Sequence, residues 1–483
     1  MFSVLFKKEL LENLQNFRFL LALVLCLIVI PLGFVVGQRD YADRRQLYDE
    51  AVRAYDLAHK TAIDIVRNGG STFRPPSPLG FVSSGVEAVL PSAAETVGLI
   101  GPAGATVQFN NTRRPENPFT GLFGRLDLAF IVSTLLSVLV MIFTFNAIAG
   151  EKERRTLAQV MSNAVPRPTV ITTKMAAGSL LLAAAFVAGT LAGLLLTSAL
   201  GLNPLGEPGT AAPFAIAVGV SLLFLLAFYS FGLLVSSRSR SAVTAMVGLL
   251  TFWVALAMIL PKASVVGAKL LMPIRSQQVV DLEKGRTRLQ NDADQGAALV
   301  RLTQSTLRIK DMSVDEYFKA KRAKDPAIDA FEKAQDELQG QFTAKLNADL
   351  DKIDADFERQ KGRQAALARN IARLSPVSCF VHVMAELAGT GFVEEAAWRQ
   401  TRSNYRQLID REIASKQTMH SFGQMFYGGM NLDRKAPAPK LPALPVPLER
   451  RLAAVWVDLA LLAIYGLIFF AGAYVSFLRY DVR

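Results

Sequence analysis

GEKERRTLAQVMSNAVPRPTVITTK, Gly150 to Lys174, is the stretch on which the chain turns. A run of about 24 apolar residues enters it and another leaves it, each long enough to cross the hydrocarbon core as a helix. Within it five basic side chains, Lys152, Arg154, Arg155, Arg167 and Lys174, crowd against the apolar ends. A short, strongly basic connection between two spans reads as a cytoplasmic loop. Its first part is helical in pattern: Leu157, Val160 and Met161 fall at i, i+3 and i+4, Lys152, Glu153 and Arg155 lie on other faces, and Pro166 and Pro168 end it. A short helix with one apolar and one charged face suits docking to a soluble partner and lying in the membrane interface equally.

Outward from this loop the pattern repeats. Phe2, Phe6, Leu10, Leu14 and Phe17 recur at steps of four and three, with Lys7, Lys8, Glu9 and Glu12 mainly on other faces. Residues 1–18 therefore predict an amphipathic helix in the cytoplasmic interface. A cleaved signal peptide ending near Val35-Val36-Gly37 is the competing reading; the acidic residues and the length of the leading segment argue against it. Residues 19–37 form the first span, and Leu126–Ala149, Met175–Leu200, Ala212–Val235, Ala242–Leu260 and Leu452–Phe477 form five more. The expected fold is an all-α membrane protein, six transmembrane helices with a mainly helical extracytoplasmic domain. Spans two to five, with the loop 150–174, occupy 126–260, and the sixth span and a cytoplasmic tail occupy 452–483. With the N-terminus inside, parity returns the C-terminus inside and places 38–125 and 261–451 outside. Arg238 and Arg240 then lie inside, and the outer loop Gly201–Ala211 holds no Lys or Arg.

The outer segments are polar and mostly helical in pattern. Residues 40–67 read as a helix broken by Gly69 to Pro78, and Leu79–Gly104 is rich in small and apolar residues. In the larger segment Ser313-Val314-Asp315-Glu316 is a capping box and Asp325-Pro326 a cap followed by proline at the first helical position. Ile328, Phe331, Leu338, Phe342, Leu346, Leu350, Ile353 and Phe357 then mark one narrow stripe, with Gly362 as a break point. Such a stripe needs a partner, either an antiparallel hairpin with residues 276–310 or a second protomer. Five prolines between residues 436 and 447 make a stiff connector to the last span.

The Gly150–Lys174 stretch also resembles the signature loop of type-2 ABC exporter permeases, GEKE-x-GTL followed by P-[VI]-x-R and GK. Gly150-Glu151-Lys152-Glu153, Thr156-Leu157, Pro166-Arg167 and Lys174 carry the likeness; Arg155 stands where that family usually has Gly, and Thr173 where a Gly often precedes the Lys. Leu374-Ser375-Pro376 and Leu387 to Gly391 resemble motifs of a branch with a large extracytoplasmic insertion before the last span. The resemblance implies a permease subunit in the bacterial inner membrane with both termini cytoplasmic, paired with a second permease and docked to an ABC ATPase subunit that holds the ATP. This chain itself would carry no cofactor. Gly150, Glu151, Glu153, Arg154, Arg155, Leu157, Val160 and Met161 would then be the ATPase-coupling residues, the charged ones meeting opposite charges and the apolar ones filling a groove. The cargo would be amphipathic or lipid-like, or a peptide, with a periplasmic partner as a further expectation.

Elsewhere chemistry is sparse. There is no G-x-x-x-x-G-K-[ST] loop, no H-E-x-x-H and no Cys/His ligand cluster; His59, His382 and His420 stand alone, and Cys26 and Cys379 are too far apart in topology to bridge. The net charge of +12 is largely explained by basic residues flanking the spans, which excludes nucleic acid as the partner and leaves membrane lipids. Ala185, Gly189 and Gly193 repeat at four-residue steps and predict close helix packing, within the chain or at a dimer seam. Asp127 and Asp458 sit near span ends, where snorkelling or pairing with Lys262 or Arg451 accounts for them. An ion-driven transporter or a membrane scaffold and sensor is the alternative class; it needs a line of ionisable residues through the spans or a cytoplasmic output module, and the sequence shows neither.

Overall fold

The computed structural model describes residues 2–60, 70–88, 93–101, 104–112, 125–162, 166–305, 312–323, 325–416 and 446–480. Helix α1 (Phe2–Leu14) is followed by α2 (Phe17–Ala58), and strands β1 (Gly70–Phe73), β2 (Ala93–Gly101) and β3 (Gly104–Thr112) come next. Then follow α3 (Leu128–Glu153), α4 (Thr156–Ser162), α5 (Arg167–Ala199), α6 (Ala211–Arg238) and α7 (Ala242–Leu271). The remainder is α8 (Gln277–Ser305), α9 (Val314–Arg322), α10 (Pro326–Ala372), α11 (Pro376–Leu387), α12 (Phe392–Lys416) and α13 (Leu448–Leu478). Six of these, α2, α3, α5, α6, α7 and α13, are long and apolar enough to cross a membrane. The fold is all-α; the antiparallel sheet β1-β2-β3 is the one β element among the described residues and was not foreseen.

Each span closes on its neighbours through small residues and aromatic side chains. A Cβ on Gly189 of α5 would stand 2.6 Å from the Cys26 carbonyl of α2, and one on Gly193 would stand 2.8 Å from the Phe34 ring; Ala185 beside them is buried. The small-residue seam thus packs within the chain, where lack of a side chain lets two backbones approach. Both cysteines are buried and free.

Several helices run through the ends drawn for them in the sequence. Span one continues to Ala58 as a single helix of 42 residues, Pro31 included; residues 61–67 of the expected outer helix lie outside the described residues. Span five does not stop before Pro261. A π-helical turn, Val254–Ile259, precedes the proline, and Ser375 Oγ donates to Leu256 O at 2.5 Å. Proline removes one N–H from the ladder, and a local π adjustment with a serine donor resettles the carbonyls.

Helices α8 and α10 form an antiparallel hairpin. Arg275 pairs with Asp356 at 2.7 Å and Lys284 pairs with Asp354, while Gln364 Nε2 donates to Met272 O at 2.8 Å. Val280, Ile328, Leu346 and Phe357 are buried along its seam, and α10 passes Gly362 unbroken over 47 residues. Ser313 and Glu316 cap α9 reciprocally, and Asp325 Oδ1 accepts from Ala327 N at 3.0 Å ahead of Pro326. Most of the proline-rich connector lies outside the described residues.

Beyond α10 the chain turns into the bundle. Helix α11 packs against α6 and α13, with Phe380 stacked on Phe224 at a centroid distance of 4.4 Å and Cys379, Val383, Met384 and Leu387 buried. It bends by 43° into α12. The sequence grouped 261–451 as one outer body because twelve residues are too few for a span; the structure seats α11 among the spans. The turn between α11 and α12 is pinned: Gly389 has φ +70, Thr390 Oγ1 donates to Ser83 O at 2.9 Å, Val86 N donates to Thr390 O at 2.9 Å, and Arg74 pairs with Glu395 at 2.6 Å.

Candidate functional site

Glu151 lies near the end of α3 and Lys174 in the third turn of α5, and the loop between them folds back so that the two meet. Lys174 Nζ donates to Glu151 Oε1 at 2.6 Å and to Glu9 Oε1 of α1 at 3.0 Å. The lysine side chain is only 6% exposed, against 14% for Glu9 and 27% for Glu151. A buried ammonium loses several kcal/mol of hydration unless opposite charge replaces it, and here two carboxylates do so. Tyr229 of α6 donates to Lys174 O at 3.2 Å, its hydroxyl filling the space that a Cβ on Gly178 would need. One ion therefore fastens α1, the loop and α5, and α6 is held to the same turn.

The rest of the loop is anchored from behind. Ser236 Oγ accepts from Ile148 N at 3.1 Å and Ala149 N at 3.0 Å and donates to Phe145 O, supplying partners to the backbone where the helix restarts. Gly150 abuts the Asn146 side chain so closely that a Cβ would overlap it. Lys152 Nζ donates to Ser237 O and lies over the Tyr480 ring at 4.3 Å. Glu153 Oε2 accepts from Ala242 N at 3.0 Å, extending the capping box that Ser241 and Thr244 form at the start of α7. Arg167 Nη1 donates to Leu478 O at 2.7 Å, joining the end of α13 to the start of α5.

Against this backing the predicted residues divide. Leu157 is 1% exposed and belongs to the main apolar core, and Val160 and Met161 pack against that core. The apolar face of α4 thus packs on its own protein, where burial against the bundle removes it from water. Glu151 pairs with Lys174 within the chain. Glu153, Arg154, Arg155, Thr156 and Gln159 stay exposed. Arg155, standing where the resembling family has Gly, has φ 58, the left-handed region in which a side chain is strained.

Helix α1 also differs from expectation. Its half-buried face is Leu5, Phe6, Glu9, Leu10 and Asn13, packed on α5, while Phe2 and Leu14 are exposed. Glu9 was read as a polar-face residue; the structure makes it a half-buried partner of Lys174. The one signal in the sequence was Lys174 itself, a charge entering an apolar run with no acid nearby except Glu151.

A second polar centre lies at the other end of the bundle. Asp458 of α13 is fully buried, and Arg373, the residue after α10, forks onto it with Nε to Oδ1 and Nη2 to Oδ2 both at 2.9 Å. His382 Nδ1 stands 3.6 Å from Asp458 Oδ1, and Tyr465 donates to Arg373 O at 3.0 Å. Neither Lys262 nor Arg451 is the partner; Arg451 pairs with Glu394 at 2.9 Å. Asp127 instead caps α3, accepting from Phe130 N and from Ser84 N and Oγ, each at 2.8 Å. Among the described residues no group of three or more His, Cys, Asp and Glu is placed to hold a metal.

Among curated proteins, none matches this sequence. The family described as ABC-2 family transporter protein matches residues 3–482, nearly end to end. With six membrane-crossing helices and the signature loop braced between the second and third of them, the chain belongs to the ABC-2 family of transporter proteins.

Proposed function

We propose that this protein is the membrane-spanning permease subunit of an ATP-driven exporter in a bacterial inner membrane. Both termini and the Gly150–Lys174 loop are cytoplasmic, and the α8–α10 hairpin and the sheet are extracytoplasmic. A second permease, identical or related, completes the pathway, and a separate ATPase docks on the loop and carries the ATP. The observation that carries this reading is the division within the loop. Its rear is fixed to α1, α5 and α6 by buried polar contacts, while a short charged tip, Glu153 to Thr156, remains in solvent. A tip held on so firm a base passes displacement to the spans instead of absorbing it. ATP binding then shifts the populations of inward- and outward-facing states through differential contact with that tip. Apolar span interiors favour an amphipathic or lipid-like cargo or a peptide over a small ion, and the outer hairpin offers a face to a periplasmic partner.

The docking roles move accordingly. Arg154 and Arg155 meet acidic groups of the ATPase and Glu153 a basic one, whereas Glu151 and Leu157 act through the loop's own support. Reversing both arginines (Arg154→Glu with Arg155→Glu) is expected to lower ATPase recovery at least tenfold, since like charges facing each other across an interface cost several kcal/mol. Insertion and thermal stability stay at the wild-type level. Pull-down of the ATPase, normalised to inserted permease, reads this; unchanged recovery and unchanged coupled transport in the double variant refute the docking site.

A further inference from the structure

The hairpin of α8 and α10 holds a cleft of about 480 Å³. Its volume falls within the range of about 300–1,000 Å³ typical of small-molecule sites. Glu283, Thr287, Gln290 and Asp294 recur at steps of four and three and make the α8 wall; Lys345, Asp349, Lys352 and Asp356 do the same on α10. Each wall runs for about 16 Å at 1.5 Å per residue. One end is closed by ion pairs: Arg275 joins Glu283 at 2.6 Å and Asp356 at 2.7 Å, and Arg359 stands 3.6 Å from Asp356.

The rest of the cleft is not satisfied from within. Asp294, Lys345, Asp349 and Lys352 line it, and among the described residues none of the four forms an ion pair. Asn291 lines the same cleft and is only 7% exposed, yet its Oδ1 is buried without a hydrogen-bond partner. A buried carbonyl oxygen that has lost water and gained no donor is costly, so this one marks a place for a donor from outside the chain. Two carboxylates repel a bare anion, and two lysines repel a bare cation. A small molecule that carries an ammonium and a carboxylate together answers the lone acceptor and both pairs of charges.

We propose that this cleft binds a small zwitterion, an amino acid or a short peptide with free termini. Its ammonium group donates to Asn291 Oδ1 and meets Asp294 on the α8 wall, and its carboxylate meets Lys345 and Lys352 on the α10 wall. The bound molecule bridges the two helices and stabilises the hairpin. Binding here is independent of ATPase docking at the other end of the molecule.

Isothermal titration calorimetry of the full-length protein in detergent tests it, with L-glutamine and triglycine as zwitterions and acetate and ethylamine as single-charge controls. At least one zwitterion is expected to give saturable heat, with an affinity at least about tenfold above either control. Tighter binding of L-glutamine assigns the site to a free amino acid, and tighter binding of triglycine to a peptide. Asp294→Asn and Lys345→Gln, both on exposed positions that leave the hairpin folded, each weaken the zwitterion at least about tenfold, since each removes a hydrogen bond to a charged group. Asn291→Leu loses binding while hydrogen exchange in α8 and α10 stays as slow as in the wild type. A buried asparagine at a helix seam also sets register; if that is its whole role, Asn291→Leu binds the zwitterion as the wild type does, which overturns the site. No saturable heat with either zwitterion, controls that bind equally well, or wild-type affinity in both Asp294→Asn and Lys345→Gln overturns it too. ATPase capture on the same preparations separates this from the docking reading: capture lost with zwitterion binding intact removes the docking reading and leaves the cleft supported.

Discussion

Lys174→Met removes the central charge of the loop while keeping a side chain of similar length, and leaves Glu9 and Glu151 facing each other across its place. Breaking a buried ion pair from one side costs about 3–5 kcal/mol. Glu151 keeps some water at 27% exposure, so the lower end, about 3 kcal/mol, applies. If that energy holds α1 and the loop to α5, local opening of both becomes about a hundredfold more frequent, at 1.4 kcal/mol per decade. Hydrogen exchange followed by mass spectrometry reads it in the peptides covering residues 2–14 and 150–162. The single changes are the sharper test. Glu9→Gln removes one charge-assisted hydrogen bond, worth about 1.5–3 kcal/mol, and is expected to speed exchange in α1 alone; Glu151→Gln acts on the loop alone. A Lys174→Met/Glu9→Gln/Glu151→Gln variant returns toward wild-type protection, because an uncharged replacement strands no buried charge. Wild-type exchange in Lys174→Met, or single variants that release both segments alike, would refute the triad as the fastening.

Two further outcomes follow from the geometry. Arg373→Gln strands the fully buried Asp458 carboxylate and is expected to lower stability by about 3–5 kcal/mol, with most of it regained in Arg373→Gln/Asp458→Asn; thermal unfolding in detergent measures both, and equal midpoints for the single and double variants contradict the pairing. Arg155→Gly relieves a left-handed residue at about 1–2 kcal/mol but loosens the unfolded chain, for a net gain below about 1 kcal/mol; a raised unfolding midpoint with weakened ATPase capture is expected, and an unchanged or lowered midpoint excludes strain at this position.

The spans, the loop and the α8–α10 hairpin were legible because each is written in contiguous sequence. Twenty apolar residues, a cluster of Arg and Lys, or a stripe at helical steps needs no knowledge of what lies across the fold. Capping was legible for the same reason: Ser313 with Glu316 and Asp325 with Pro326 act within one turn. The hidden part is what the fold brings together. Lys174 and Glu9 are 165 residues apart, and Arg373 and Asp458 are 85 apart. The continuation of α7 past Pro261 shares that cause, since the π turn and the Ser375 donor that carry the helix through its proline come from tertiary packing.

The same limit explains why the contacts of the loop helix could not be read from its spacing. Amphipathic spacing says that Leu157, Val160 and Met161 share a face, and says nothing of what covers that face. In a chain whose interior is a helical bundle, the nearest apolar surface is the chain's own, reached at no cost in translational entropy, whereas a partner's groove must offset that loss. Apolar residues on a short loop helix beside spans should accordingly be assigned inward first, and the docking surface sought among the charged residues left over. Under the proposed docking, Arg154 and Arg155 are those residues, and Arg155 sits in a left-handed backbone conformation that an arginine adopts only under strain. That strain is tolerated because Ser236, Lys152 and the Glu9–Lys174–Glu151 contact fix the backbone before it and the buried Leu157 fixes it after.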